Sequence, residues 1–422
     1  PCPTTVPDAP FSSYFRGHPV QICPVGALTA KPYRFKARPW DLSQQETTCT
    51  TCAVGCRTVV QSSRDEVLRY MGVDSDPVNH GWLCDRGRFN FEAVKSEHRV
   101  LQPLVREGDE LLPASWNTAL AAAAALITEA KAAGGVAGIA VIGGARGTNE
   151  DAFAWARVGH EVIGTPNVYS QMGDGLPVGL LGLDRATIDE AANATTIVLL
   201  GPDLKEELPV LYLRLRDAAA KQRSRIIELT PKHTGLTRNA WRSIGYEPGT
   251  QVAAVQGALA DGAIAAQLAK GNVVIVAGRA NLAESSAATI AALHALLAAV
   301  PGAKVLPAFR RGNVVGALQV GVRPGKGGLD TRGALQAAAD GKIECLVLLG
   351  ADPLADFPDT DLARRALAGA RRIIAVDTFL TQSSQRADVV LAASAYAEKS
   401  GTTTNLEGRV STVARQVTPA GP

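Results

Sequence analysis

Aromatic side chains are scarce in this chain of 422 residues, at 5%, and there are only two methionines. No run reaches the ~20 strongly apolar residues that a bilayer span needs. The longest uncharged stretch, 285–303, is mostly alanine, carries His294 and Pro301, and reads as a buried helix. Neither charge dominates: 43 basic against 40 acidic side chains leave +3. That balance argues against a nucleic-acid binder, which needs an excess of clustered cations. With 46% hydrophobic and 20% charged residues, the composition excludes a disordered chain. At about 150 residues per domain, the length allows two or three domains. No apolar leader opens the chain, and both ends, PCPTTVPDAP and TPAGP, read as cut edges of a soluble fragment.

Cysteine is also sparse, and its placement is lopsided. Six of the seven lie within the first 84 residues, and Cys345 stands alone. Seven are too few for a disulfide scaffold, so the group reads as metal ligands in a reducing compartment. CTTCAVGC supplies Cys49, Cys52 and Cys56, and WLCDRGRF supplies Cys84. The pattern is C-x2-C-x3-C-x27-C, three ligands on one loop and a fourth from a distance. A cubane 4Fe–4S cluster takes one thiolate per iron, which this arrangement suits. Gly55 lets the backbone turn around the sulfides. The alternative is structural zinc, although zinc ribbons usually supply two separated pairs. Such a segment has a marginal core of its own, and a bound metal centre would contribute to its folding. Cys23 precedes Pro24, as the last cysteine of ferredoxin-type motifs does. It is either an ordinary thiol or a ligand whose partners lie elsewhere, Cys2 being the only other early cysteine.

From about residue 115 onward, short apolar runs alternate with alanine-rich helical stretches. The strand candidates are 138–144, 196–201, 225–229, 272–278, 345–350, 372–377 and 388–393. They are continuously apolar, as strands covered on both faces are. Helical stretches such as SWNTALAAAAALITEAKAA lie between many of them, which predicts an α/β fold of parallel sheets with right-handed crossovers. Glycine or aspartate at the strand exits (Gly201, Gly278, Gly350, Asp377) sits where such sheets bind ligands, or merely permits tight turns. No G-x-G-x-x-G is present, because Ala145 interrupts GGARGT, so a dinucleotide site is unsupported. GVRPGKGG (321–328) is one residue short of a P-loop and has Gly327 in place of Ser/Thr; it reads as a flexible loop. The six histidines are scattered without metal-ligand spacing.

CPVGALTAKPYRFKARPW, followed by the four-cysteine group and DRGRF, resembles the family of large iron–sulfur subunits of bacterial NADH–quinone oxidoreductase, respiratory complex I. The later stretches GGARGTNEDAF…GTPNV, LLGPD, LLGADP and ADVVLAASAYAEKSGTTTNLEGRV resemble the molybdopterin-oxidoreductase fold. The resemblance covers nearly the whole chain. It implies a small N-terminal 4Fe–4S domain followed by two interleaved, doubly wound parallel-sheet lobes. The implied division is 1–45 (tail of a truncated ferredoxin-like region), 46–102 (4Fe–4S domain), 103–168 plus 330–422 (first lobe) and 169–329 (second lobe). Cys49, Cys52, Cys56 and Cys84 then match the ligands of one 4Fe–4S cluster. Cys23 matches the fourth ligand of a preceding 4Fe–4S cluster whose other ligands, like the family's 2Fe–2S cluster, would lie upstream of Pro1.

The implied function is electron transfer and scaffolding within a proton-translocating NADH:quinone oxidoreductase, with no catalytic residue of its own. The implied partners are other peripheral-arm subunits, in a hetero-oligomer held through them to the cytoplasmic side of the bacterial inner membrane. The basic stretch 31–38 is either a solvated loop or a docking surface. The alternative is a molybdopterin-dependent catalyst of the formate dehydrogenase or nitrate reductase type. Those enzymes place a metal ligand shortly after G-T-x-N-V, a position that falls here at about Gly175, which has no side chain. Nearby, Ser170 and Asp174 could bind metal but are misplaced, and Tyr169, Met172 and Gly173 replace polar residues. No molybdopterin is therefore expected. Arg86 stands where those enzymes commonly carry a Lys, either facing the cluster or paired with Asp85 or Glu92.

Overall fold

The computed structural model describes residues 13–74, 76–173, 175–280 and 285–421. Strands Ser43–Thr48, Arg57–Ser63 and Glu66–Gly72 form an antiparallel sheet whose register shifts at Gln61/Ser62. The cysteine loop 49–56 is the connection between the first two of these strands. Cys2 and Asp174 lie outside the described residues.

A second sheet is wholly parallel. Its order is Arg242–Gly245, Arg225–Thr230, Thr196–Leu200, Val273–Ala277 and Lys304–Pro307. The third has seven strands. A hairpin, Glu110–Pro113 and Leu104–Glu107, lies antiparallel against Val389–Ala392; then come Arg372–Asp377, Cys345–Leu349, Ile139–Gly143 and Val168–Tyr169, all parallel. All seven strand candidates are strands, and the chain is α/β with parallel sheets. Thr196–Leu200, Val273–Ala277 and Cys345–Leu349 are buried at every residue, as strands covered by helices on both faces must be.

Helix Trp116–Gly134 starts where the Ser115 side chain accepts the Thr118 N–H and ends at Gly135, whose φ of +64° suits glycine. The Thr148–Asp151 capping box starts helix Asn149–Arg157. The loop 321–328, expected to be flexible, is pinned instead. Gly325 N–H donates to Pro166 C=O at 2.9 Å, and a Cβ on Gly328 would collide with that same carbonyl. A final hairpin, Gly401–Thr404 with Val410–Val413, returns to the first sheet: Thr48 Oγ1 donates to Thr412 C=O at 2.8 Å and Ala414 N–H to Thr47 Oγ1 at 3.0 Å.

Candidate metal centre

The antiparallel register brings the two ends of the cysteine loop together, and Cys49 N–H donates to Cys56 C=O at 2.8 Å. Inside it, Gly55 N–H reaches Cys52 C=O at 3.3 Å. Gly55 has a φ of +64°, and a Cβ there would stand 2.8 Å from Asn405 Cβ, so both backbone and space call for glycine. Cys84 arrives as the N-cap of the short helix Asp85–Arg88, with Gly87 N–H directed at its sulfur at 3.5 Å. Gly87 is the wedge: a Cβ on it would lie 3.0 Å from Cys49 Sγ and 3.7 Å from Cys84 Sγ. The loop and the distant cysteine thus converge on one point.

Cys52, Cys56 and Cys84 are buried, and Cys49 is half-buried. Burial pushes the Cys52 thiol up to about 12, helped by Cys84 and Cys49. Cys56 is pushed well above its ordinary value, by burial first and then by Cys49, Cys52 and Cys84. Cys84 is raised by burial and by Cys49. The sulfurs feel one another, so four thiolates here require a cationic centre between them. Arg86 is the cation that both Cys52 and Cys84 feel. It pairs with neither Asp85 nor Glu92. Asp85 instead accepts Arg16 and the Gly17 N–H, and Arg86 donates to Glu207 C=O at 2.9 Å.

Among the described residues, no three His, Cys, Asp or Glu side chains close around a single metal ion. One zinc would draw four thiolates to about 2.3 Å from itself. A 4Fe–4S cluster takes the same four thiolates with a separate iron for each sulfur.

Distant segments hold the loop from both sides. Ala53 N–H donates to Arg310 C=O at 3.3 Å, and a Cβ on Gly312 would collide with Thr50 C=O. Opposite, Leu406 N–H donates to Ala53 C=O at 2.8 Å and Asn405 Nδ2 to Val54 C=O at 3.1 Å. These clamps are mostly backbone contacts, and no sequence pattern pointed to them.

Cys23 is placed elsewhere. It lines a groove that none of the other four cysteines lines. Its thiol is held below the ordinary range, by the Leu28 N–H most and also by those of Val25, Ala27 and Gly26. Such an amide nest suits a sulfur carrying negative charge. Cys345 is a strand thiol that burial pushes up to about 12.

At Gly175, where a molybdenum ligand would be expected, a neighbouring side chain takes the space. A side chain at Gly175 would collide with Gln171 Oε1. Gln171 fills that space, donating to Tyr169 Oη at 2.8 Å and Leu176 C=O at 2.9 Å while accepting Leu176 N–H at 3.1 Å. Arg279 donates to the Gly173 and Gly175 carbonyls at 2.6 and 3.2 Å. Ser170 is fully buried.

Residues 43–96 match the molybdopterin oxidoreductase Fe4S4 domain, and residues 99–421 match the molybdopterin oxidoreductase family. The chain is 34% identical to a subunit of the NADH-quinone oxidoreductase of Mycobacterium bovis, over 96% of this chain and 54% of that protein. Against the like-named subunit of Streptomyces coelicolor the identity is 32%, over 95% of this chain and 54% of that one. The chain thus spans about half the length of these curated relatives. Acetylene hydratase from Pelobacter acetylenicus shares the fold at 15% identity, with a TM-score of 0.65 over 89% of this chain and 67% of that one. With a match that takes in most of its length, the chain belongs to the molybdopterin oxidoreductase family and carries that family's Fe4S4 domain at its N-terminal side.

Proposed function

We propose that Cys49, Cys52, Cys56 and Cys84 hold one 4Fe–4S cluster, and that the chain is an electron-transfer and scaffolding part of the peripheral arm of an NADH–quinone oxidoreductase. The observation that carries this reading is that the four thiols act on one another, with Cys49 and Cys84 meeting at Gly87, in a chain whose relatives are named for that complex. When bound, such a cluster takes up and releases single electrons without making or breaking substrate bonds. The protein's own work is to supply four thiolates, exclude water, and set the Gly87 amide and the Arg86 charge beside the sulfurs. Each of those lowers the cost of negative charge at the site.

Cys23 is the ligand of a second 4Fe–4S cluster in this reading, its remaining ligands coming from outside the groove. The partners are other peripheral-arm subunits in a hetero-oligomer, attached to the cytoplasmic face of the bacterial membrane. No helix among the described residues is long and apolar enough to cross a membrane. The family match favours one other reading, a molybdopterin-dependent catalyst. Gln171 at Gly175 weighs against it, because a donor there would have to displace an amide hydrogen-bonded to Tyr169 and Leu176.

The test is anaerobic purification with elemental analysis and low-temperature EPR of the reduced protein. The expected result is iron near four per chain, a single cubane signal, and neither molybdenum nor tungsten at stoichiometry. Stoichiometric zinc without iron, or molybdenum with bound pterin, would replace this reading.

A further inference from the structure

Of the four clustered cysteines only Cys49 is half-buried, and its hydrogen bonding differs in kind from that of the others. Gly87 N–H points at Cys84 Sγ at 3.5 Å, and the Val54 N–H is directed at Cys52. Both of those donors are backbone groups. Cys49 Sγ instead lies 3.4 Å from the hydroxyl oxygen of Thr51. That contact is made by a side chain, so it is open to substitution.

In the free thiol, the Cys49 S–H donates and the Thr51 oxygen accepts. A cysteine that ligates iron has lost that proton, whereas a hydroxyl can donate as well as accept. With iron bound the bond must therefore run the other way, from the Thr51 O–H to the sulfur. No other acceptor takes the Thr51 proton among the described residues. The nearby Thr48 hydroxyl is committed elsewhere, donating to Thr412 C=O at 2.8 Å and accepting Arg57 Nη1 at 2.6 Å. Reduction adds one electron, and so one negative charge, to a 4Fe–4S cluster and its thiolates. A hydrogen bond to a ligand sulfur is worth more in that reduced state. We propose that Thr51 raises the reduction potential of the cluster by donating its hydroxyl proton to the Cys49 sulfur. The electron comes from an outside one-electron carrier, and the hydroxyl keeps its proton throughout. This inference rests on the reading of Cys49, Cys52, Cys56 and Cys84 as ligands of one cluster.

The test is an EPR-monitored redox titration of the whole chain, reconstituted anaerobically with iron and sulfide, with iron counted in every variant. In Thr51→Val the equilibrium constant for reduction should fall about three- to tenfold, which is ~30–60 mV for a one-electron couple. Thr51→Ala, a second variant without the hydroxyl, should match it. Thr51→Ser keeps the hydroxyl and should stay at the wild-type potential. After exchange into D2O, deuterium ENDOR of the reduced cluster should show one coupled deuteron fewer in Thr51→Val than in wild type or Thr51→Ser. An unchanged potential in the iron-loaded Val or Ala variant, or a Thr51→Ser potential as low as theirs, overturns this inference and leaves the cluster assignment standing. A wild-type chain with no cubane signal overturns the assignment and this inference with it.

Discussion

Replacing Gly87 by alanine separates the cluster site from the fold that carries it. Gly87 lies within the helix Asp85–Arg88, and its φ is not positive. The backbone therefore accepts alanine, and helix propensity favours it by up to ~1 kcal/mol. The added methyl, however, falls 3.0 Å from Cys49 Sγ and 3.2 Å from Leu83 Cδ1. Comfortable contacts begin at about 3.5 Å, so the sulfur must retreat by several tenths of an ångström. Metal–ligand distances tolerate about 0.2 Å, and overpacking of this kind costs ~1–3 kcal/mol. At about 1.4 kcal/mol per tenfold, cluster retention should fall about five- to hundredfold. The assay is iron and sulfide per chain after reconstitution and timed exposure to a chelator, with circular dichroism and thermal melting of the iron-free chain. The expected pattern is rapid iron loss with little change in melting. Gly245→Ala is the control, because nothing lies within 4 Å of a Cβ there. Wild-type iron retention in Gly87→Ala would refute the argument that Cys49 and Cys84 meet at this point as ligands of one cluster.

Cys84→Ser should abolish the EPR signal and most of the iron, since a single distant ligand closes the set; an unchanged spectrum removes Cys84 from it. Cys23→Ala should leave the iron of this chain unchanged, because none of the other four cysteines shares its groove. Iodoacetamide should alkylate Cys23 at lower pH than an ordinary thiol, in keeping with its amide nest; both are read by iron assay and mass spectrometry. Glu398→Gln removes one half of a pair with Arg99, held at 2.7 Å with side chains 2–3% exposed, and should cost about 3 kcal/mol in denaturant melts at neutral pH. Burial raises the Glu398 carboxyl, but the Arg99 hydrogen bonds and the Ala395 N–H outweigh it and leave it below its ordinary range. Its contribution is therefore present above pH ~4.3 and lost as pH falls through the lower folded value. Wild type should lose that increment on acidification, and Glu398→Gln should not.

Seven strands of the two large sheets were legible because each centres on a run of apolar residues with no polar alternation, as in TIVLL and CLVLL. Those that were not legible lack that texture. Leu104–Glu107, Glu110–Pro113 and Arg242–Gly245 are short and mostly exposed or half-buried, so nothing in their side chains declares a strand. The grouping of Cys49, Cys52, Cys56 and Cys84 was legible because cysteine spacing is a property of side chains. The Arg310 carbonyl and the Leu406 amide were invisible because any residue presents the same backbone groups. Arg86 shows a third kind of limit: Asp85 stands next to it in sequence, yet Arg16 and the Gly17 amide reach that carboxylate first.

Family membership and chemistry part company at two places, and the same architecture accounts for both. The cysteine loop is bonded to Arg310, which follows a strand of the five-stranded sheet, and to Asn405 and Leu406, which follow the seven-stranded sheet. The site is therefore complete only when both large units are folded against the small one. Metal binding and closure of the units then stabilise each other. In the proposed function, that is a reason for the two sheets to persist without any reaction of their own. At the other place, the turn after GTPNV, the backbone path is filled by the Gln171 side chain and tied down by Arg279. A position held so closely from within has no need of a ligand to order it. Under the proposed function, the fold is a frame around an electron carrier, with chemistry residing in grafted side chains and not in the scaffold.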